Sequence, residues 1–168
     1  MGDEDSAAGT PGYTGDTGDA AEDAGAVPQA GLDALHALDA LRESMRGTLI
    51  ERMQIELLSA APDRVVARMP VSGNTQPYGL LHGGASVALA ETVGSIAAML
   101  HAGTGRIAVG VDINATHHRA VTEGFVTGTA TPLSQGRTVA SYQIAIDDAT
   151  GRRVCTARLT CLLRVAAP

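Results

Sequence analysis

From Ala85 to about Leu100 the apolar residues Val87, Leu89, Val93, Ile96, Ala97, Met99 and Leu100 spread around the whole circumference of a helix. A helix apolar on nearly every side belongs in an interior, so the rest of the chain must wrap it. The stretch is interrupted by Glu91, Thr92, Gly94 and Ser95, which speaks against a membrane span.

The wrapping material reads as strands. Residues 52–58 and 64–71 are β-branched or alternating and are separated by the turn signal Ala61-Pro62-Asp63, a hairpin pattern. After Gly103 and Gly105 come four more such runs, about 106–117, 123–132, 137–147 and 152–164, divided by Glu123-Gly124, Ser134-Gln135-Gly136 and Asp147 to Gly151. A hairpin, a buried helix and a four-strand meander make an α+β chain: one antiparallel sheet curled around one helix. One face of that sheet grips the helix, and the other needs cover or a partner. Upstream, Leu32, Leu35, Leu38 and Leu41 follow one face of a short amphipathic helix. Cys155 and Cys161, six apart, share a strand face and read as buried free thiols.

Composition bounds the function. The 168 residues suit one domain. Residues 1–30 hold seven of the 18 acids, no Lys or Arg and almost no large apolar side chain, so a disordered tail is expected there and a folded domain over 31–168. Without that tail the 12 Arg nearly balance the acids, leaving no basic stripe for a nucleic-acid backbone. The chain has no Lys, which excludes Schiff-base chemistry and a Walker-type phosphate loop. Neither a leader nor a spanning segment is evident, and a cytoplasmic protein is expected.

Candidate chemistry centres on Glu91. A carboxylate amid apolar helix neighbours is costly unless paired, and desolvation is expected to raise its pKa. The plain alternative is a Glu satisfied by Ser95 or by an Arg of the sheet. Upstream, Leu81-His82-Gly83-Gly84-Ala85 brings bare backbone to a helix N-terminus, as an oxyanion hole requires, although close helix–sheet packing asks for the same glycines. His82 fits a structural loop element better than a proton donor or acceptor. Gln76 is placed to lend an amide to a carbonyl, or is an ordinary solvent-facing loop residue. Ser95, one turn after Glu91, can hold a water or the carboxylate, or bond back to its own helix. His36 and His101 read as surface or helix-end residues. His117 and His118 fall on opposite strand faces and cannot share a metal, and no metal-ligand spacing occurs. There is no Gly-x-Ser-x-Gly elbow and no Cys–His pairing, which leaves Glu91 as the best chemical residue.

The run from Gln76 through His82-Gly83-Gly84 to Glu91 and Ser95, with Val109 to His117 and Pro132-Leu133, closely resembles the hotdog-fold thioesterases of the Glu-dependent type. Its nearest likeness is to the group of 1,4-dihydroxy-2-naphthoyl-CoA and enterobactin-pathway proofreading thioesterases. The resemblance spans roughly residues 32–165 and implies a hotdog fold hydrolysing an acyl-CoA thioester. It implies Glu91 as catalytic carboxylate, Gly83 as carbonyl-polarising amide, Gln76 as a second amide donor, Ser95 on the water side and His82 at the loop or thioester end. Gly84, His117 and the segment Gly136-Arg137-Thr138 are the candidate substrate-binding residues. At that segment relatives show a Ser-Arg order against CoA phosphates, where this chain has Arg-Thr. No cofactor or metal is implied, since coenzyme A is part of the substrate.

The likeness favours an aromatic acyl group, with dihydroxynaphthoyl-CoA of quinone synthesis first and other aryl-CoA or carrier-protein thioesters next. Whether Glu91 acts as base or nucleophile stays open in the sequence. So do two further functions for the fold, a non-catalytic acyl-CoA sensor and a hydratase using His82 with Glu91. Gly83 and Glu91 stand eight residues apart, about 12 Å along a straight helix, too far for both to serve one carbonyl. Two antiparallel helices across a two-fold axis would solve this, and the resemblance implies that dimer, usually paired into a tetramer.

Overall fold

The structure, a computed structural model, describes residues 29–166, with side chains from His36 onward. The tail expected over 1–30 lies outside the described residues, apart from Gln29 and Ala30, which begin the first helix. That helix, α1 (Gln29–Ser44), lays Leu38 and Leu41 on the core.

A four-residue helix follows, α2 (Leu49–Arg52), whose cap Thr48 accepts a hydrogen bond from the Ile50 N–H at 3.2 Å. The strand expected over 52–58 therefore starts later, as β1 (Glu56–Ala61). Gln54, with φ of 54°, turns the chain between them, so the apolar Met53 and Ile55 belong to a corner rather than to a ladder. β1 pairs antiparallel with β2 (Arg64–Pro70), as the turn signal at 61–63 required.

The long helix α3 (Gly83–Ala102) is followed by β3 (Arg106–His117), β4 (Phe125–Gln135), β5 (Val139–Asp148) and β6 (Arg153–Val165). All six strands form one antiparallel sheet in the order β1-β2-β4-β5-β6-β3. The four-strand meander is thus corrected: β4, β5 and β6 are sequential neighbours, but β3 lies at the far edge against β6, and β4 pairs with β2. Alternation identifies a strand and its buried face, but not its neighbour. The crossover at 118–124 is tied to the body by His118 N–H to the Val154 carbonyl at 2.7 Å and Leu81 N–H to the Val121 carbonyl at 2.8 Å.

The sheet grips one side of α3. Leu89, Ala90, Val93 and Ala97 are fully buried, as are Val65, Met69, Val126, Tyr142 and Ile144 on the strands. Two glycines permit the close approach. A Cβ at Gly94 would fall 2.6 Å from Leu159 Cδ2, and one at Gly128 of β4 would fall 3.0 Å from Leu89 Cγ. The other side of α3 is open: Val87, Ala88, Thr92 and Ser95 are half-buried, and Glu91 and Met99 are exposed. Beside it β3 is an edge strand whose Ile107, Val109 and Val111 are 45, 44 and 53% exposed, so the helix that should be buried all round is covered by this chain on one side only.

Candidate active site

The N-terminal end of α3 is built by a loop, 71–82, held from within. Asn74 is its staple, donating its side-chain amide to the Met53 and Pro70 carbonyls at 3.0 and 2.9 Å while its own carbonyl accepts the His82 N–H at 2.9 Å. Sequence reasoning missed Asn74, because an Asn after Gly in a loop looks like any turn residue.

His82 then caps the helix. Its Nδ1 accepts the Gly84 N–H at 2.8 Å, and its carbonyl accepts those of Ala85 and Ser86. An accepting Nδ1 places the ring proton on Nε2, so His82 works here as a neutral cap. Gly84 has spent its N–H on that cap. Gly83 has not: its N–H meets no acceptor among the described residues and stands at the positive end of the helix dipole.

His117, at the end of β3, packs on Gly83, where a Cβ would fall 2.9 Å from its Nε2. Gln76, Gly83, Ser86, His117 and Arg119 line one cavity of about 370 Å³, and the Gln76 side-chain amide has no partner among the described residues. Ser86, Arg119 and His118, whose ring contacts Thr156 Oγ1 at 3.0 Å, join this site without having been singled out. Ser86 comes with the first turn of α3, while His118 and Arg119 are brought here by the crossover at 118–124, which is invisible to pattern.

Glu91 lies elsewhere. The burial expected for it is not met within one chain, because it sits on the open side of α3. Its Oε1 rests on β3, 3.3 Å from where a Cβ of Gly110 would be. Glu91 and Ser95 share a second cavity, about 360 Å³, with Ala88, Thr92, Leu49 and Ile50. Below them burial pushes the Cys161 thiol pKa up, a hydrogen bond with Ser95 works against the rise, and the Glu91 charge adds to it. Cys155, also free and buried, has its thiol raised by burial as well, with Arg153 opposing.

Gly136, Arg137 and Thr138 form the β4–β5 turn at the opposite end of α3 from Gly83, where the His101 ring nitrogen lies 3.1 Å from the Gly136 carbonyl. The 20 residues of α3 span about 30 Å, so one chain keeps the Gly83 end and this turn far apart. The fold therefore unites Gln76, Gly83 and His117 around the His82 cap, unites Glu91 with Ser95, and keeps the two groups in separate cavities.

Comparison with known proteins fits this architecture. A family profile described as the thioesterase superfamily matches residues 78–155. The proofreading thioesterase EntH of Cronobacter turicensis is 49% identical over 124 residues, 73% of this chain and 90% of that protein. A thioesterase crystal structure from Haemophilus influenzae superposes with a TM-score of 0.74 at 40% identity, covering 76% of this chain and 90% of that one. A Staphylococcus aureus thioesterase, solved as separate Gln-to-Ala and Glu-to-Ala variants at positions fifteen residues apart, gives 0.68 at 31% identity for the Glu variant, covering 70% of this chain and 99% of that one. The chain belongs to the thioesterase superfamily and is a hotdog-fold hydrolase of acyl thioesters.

Proposed function

We propose that the enzyme hydrolyses an aromatic acyl-CoA thioester, 1,4-dihydroxy-2-naphthoyl-CoA first among them, at sites shared between two copies of the chain. The observation that carries the shared site is the separation just described. A free Gly83 N–H with Gln76 and an exposed Glu91 with Ser95 occupy different cavities about 12 Å apart along one helix. Neither cavity alone holds both an oxyanion donor and an attacking group, which must approach one carbonyl within about 3.5 Å. The exposed β3 edge and the open side of α3 supply an apolar surface on which a second copy can pair with its helix antiparallel. The spacing of Gln76 and Glu91 equals that of the Gln and Glu replaced in the Staphylococcus protein, which supports treating them as one functional pair.

In the mechanism, the Gly83 N–H of one copy and the Gln76 amide draw negative charge onto the thioester oxygen. Glu91 of the other copy takes a proton from water as the water oxygen bonds to the carbonyl carbon. The tetrahedral intermediate then breaks its C–S bond, and the departing sulfur takes that proton, leaving the acid and CoA thiol. Ser95 orients the water or the carboxylate, and the Gly136–Thr138 turn meets the CoA phosphates. The 49% identity to a proofreading thioesterase favours, as second reading, another aryl thioester on CoA or on a carrier protein.

Subunit mixing tests the shared site. Glu91→Ala and Gly83→Pro copies, each inactive alone, are exchanged under mild denaturant. A mixed dimer has one site with both lesions and one with neither, so activity returns. Full exchange without activity overturns the arrangement, as does a solution mass of a single 17.1 kDa chain. Release of free CoA thiol across aryl, phenylacetyl and aliphatic CoA thioesters then ranks the acyl groups, and an aliphatic preference overturns the aromatic reading.

A further inference from the structure

The turn that carries Gly136, Arg137 and Thr138 is held in an unusual way. All three carbonyl oxygens are taken by donors from the body of the protein: Gly136 by the His101 ring at 3.1 Å, Arg137 by an Arg106 guanidinium nitrogen at 2.7 Å, and Thr138 by the Leu163 N–H at 2.8 Å. The turn closes through Gly136 N–H to the Val139 carbonyl at 2.9 Å, so tightly that a Cβ at Gly136 would fall 2.8 Å from that oxygen.

With its carbonyls turned to the body, the turn leaves the N–H groups of Arg137 and Thr138 without acceptors among the described residues. Both residues are exposed. Two free consecutive amides beside a guanidinium and a hydroxyl suit a phosphate oxygen set. Arg106 bears a cost for its part, because its Nε is buried with no partner while its NH2 serves both the Arg137 and the Leu163 carbonyls.

The turn also communicates with Glu91. Arg106, Met99 and Ile107 line a groove with Ser95 and Ile96, and those last two also line the Glu91 cavity. Glu91 and His101 are ten residues apart on α3, about 15 Å, which calls for an extended linker between reacting carbonyl and phosphate rather than direct contact.

We propose that His101 and Arg106 are positioning residues for the phosphate end of the substrate: they hold the 136–138 turn by its carbonyls so that its amides and Arg137 face a CoA phosphate. This rests on the reading above that the turn meets CoA. Neither side chain touches the reacting atoms, so their effect falls on KM and only for substrates that carry phosphate.

The test compares benzoyl-CoA with the benzoyl thioester of N-acetylcysteamine, which lacks the phosphates, using full-length wild type and the variants His101→Ala, His101→Gln, Arg106→Met and Arg137→Ala. Loss of one charge-assisted contact is expected to raise KM for benzoyl-CoA about tenfold in His101→Ala, Arg106→Met and Arg137→Ala. Their kcat, and their kcat/KM for the truncated thioester, should stay near wild type. His101→Gln, which keeps an N–H donor, should recover most of the loss. If Arg137→Ala acts selectively on benzoyl-CoA while His101→Ala and Arg106→Met do not, the phosphate contact stands and the positioning role falls. If Arg137→Ala shows no selectivity, the phosphate reading falls and takes the positioning role with it. Equal losses on both substrates, or a His101→Gln variant as impaired as His101→Ala, overturn the role as well, since a structural defect ignores the phosphate and a repaired donor should not.

Discussion

The two sides of α3 are written in nearly the same apolar alphabet but face opposite demands. On the sheet side, Leu89, Val93, Gly94 and Ala97 are fully enclosed by strands of the same chain, and the tightest approach is Gly94 on Leu159. On the open side, Val87, Ala88, Glu91, Ser95 and Met99 face solvent wholly or in part, beside an edge strand that also exposes apolar side chains. Stability rests on the first side and the proposed chemistry on the second. A carboxylate is tolerable mid-helix because this side is not sealed by its own sheet. Closure by a second subunit would surround it after folding, when the partner also brings a Gly83 amide.

The largest effect expected is on the open side. Glu91→Gln keeps the shape and removes the charge, and kcat should fall by about two to four decades, the contribution of a positioned acid–base group. Melting temperature should move little, because an exposed helix residue contributes little to stability. Steady-state kinetics and a thermal melt on the same preparation decide it; a variant keeping more than half of wild-type kcat removes Glu91 from the chemistry.

The sheet side should answer in the opposite currency. Gly94→Val drives a branched side chain into Leu159, already 2.6 Å from where a Cβ would begin. Overpacking of this kind costs roughly 3 kcal/mol, a melting-temperature loss of about 10 °C in a domain of this size. The kcat measured well below that temperature should stay within about threefold of wild type. Unchanged stability would show that α3 rides higher on the sheet than the geometry states.

Gly110 lies where the two demands meet, on β3 against the Glu91 carboxylate. A methyl at this position would fall 3.3 Å from Oε1 and 3.6 Å from Leu159 Cδ1, close enough to displace the carboxylate by tenths of an ångström without entering the core. Gly110→Ala should therefore lower kcat by about tenfold, since attack geometry is sensitive to sub-ångström misplacement. Its melting temperature should hold, and a variant with wild-type kcat would mean that the carboxylate is free to swing clear.

These contrasts also mark what the sequence disclosed. Glycines at 83 and 84, a period-two pattern downstream and turn signals at 61–63 and 147–151 announce elements through local chemistry, and each is found in place. The position of β3 beside β6 was not legible, because alternation carries no information about which neighbour shares the ladder. Nor was the exposure of Glu91, because an apolar residue on the uncovered side of α3 reads like one facing the sheet. Gly83 and Glu91 were legible as candidates for the proposed chemistry from a helix start and a lone acid. Asn74, His118, Arg119 and the turn-holding pair His101 and Arg106 were not, since each acts through a long-range hydrogen bond or a cavity wall that the fold creates.

The smallest effect expected sits beneath the open side of α3, in the two thiols. Burial raises the pKa of Cys155 and Cys161, and at Cys161 the nearby Glu91 charge raises it further while the Ser95 hydrogen bond holds it back. A group whose pKa is raised by folding binds its proton more tightly in the native state. Its stabilising effect is therefore intact below the unfolded thiol pKa of about 8.5 and is lost as pH rises through the folded value. Melting temperature should accordingly fall more steeply between about pH 8 and 9.5 in wild type than in a Cys155→Ala/Cys161→Ala variant, by a few degrees at most. The slope is the quantity to compare, because the cavities left by the two alanines lower the variant's melting temperature at every pH. At pH 8 an uncharged alkylating reagent should label neither native thiol faster than the chain unfolds. Glu91→Gln removes only the smallest of the three influences on Cys161, so both thiols should stay at the unfolding limit in that variant too. Identical slopes, together with rapid labelling of the wild-type protein, would show that solvent reaches Cys161 through the Glu91 groove and that the sheet does not seal the covered side of α3.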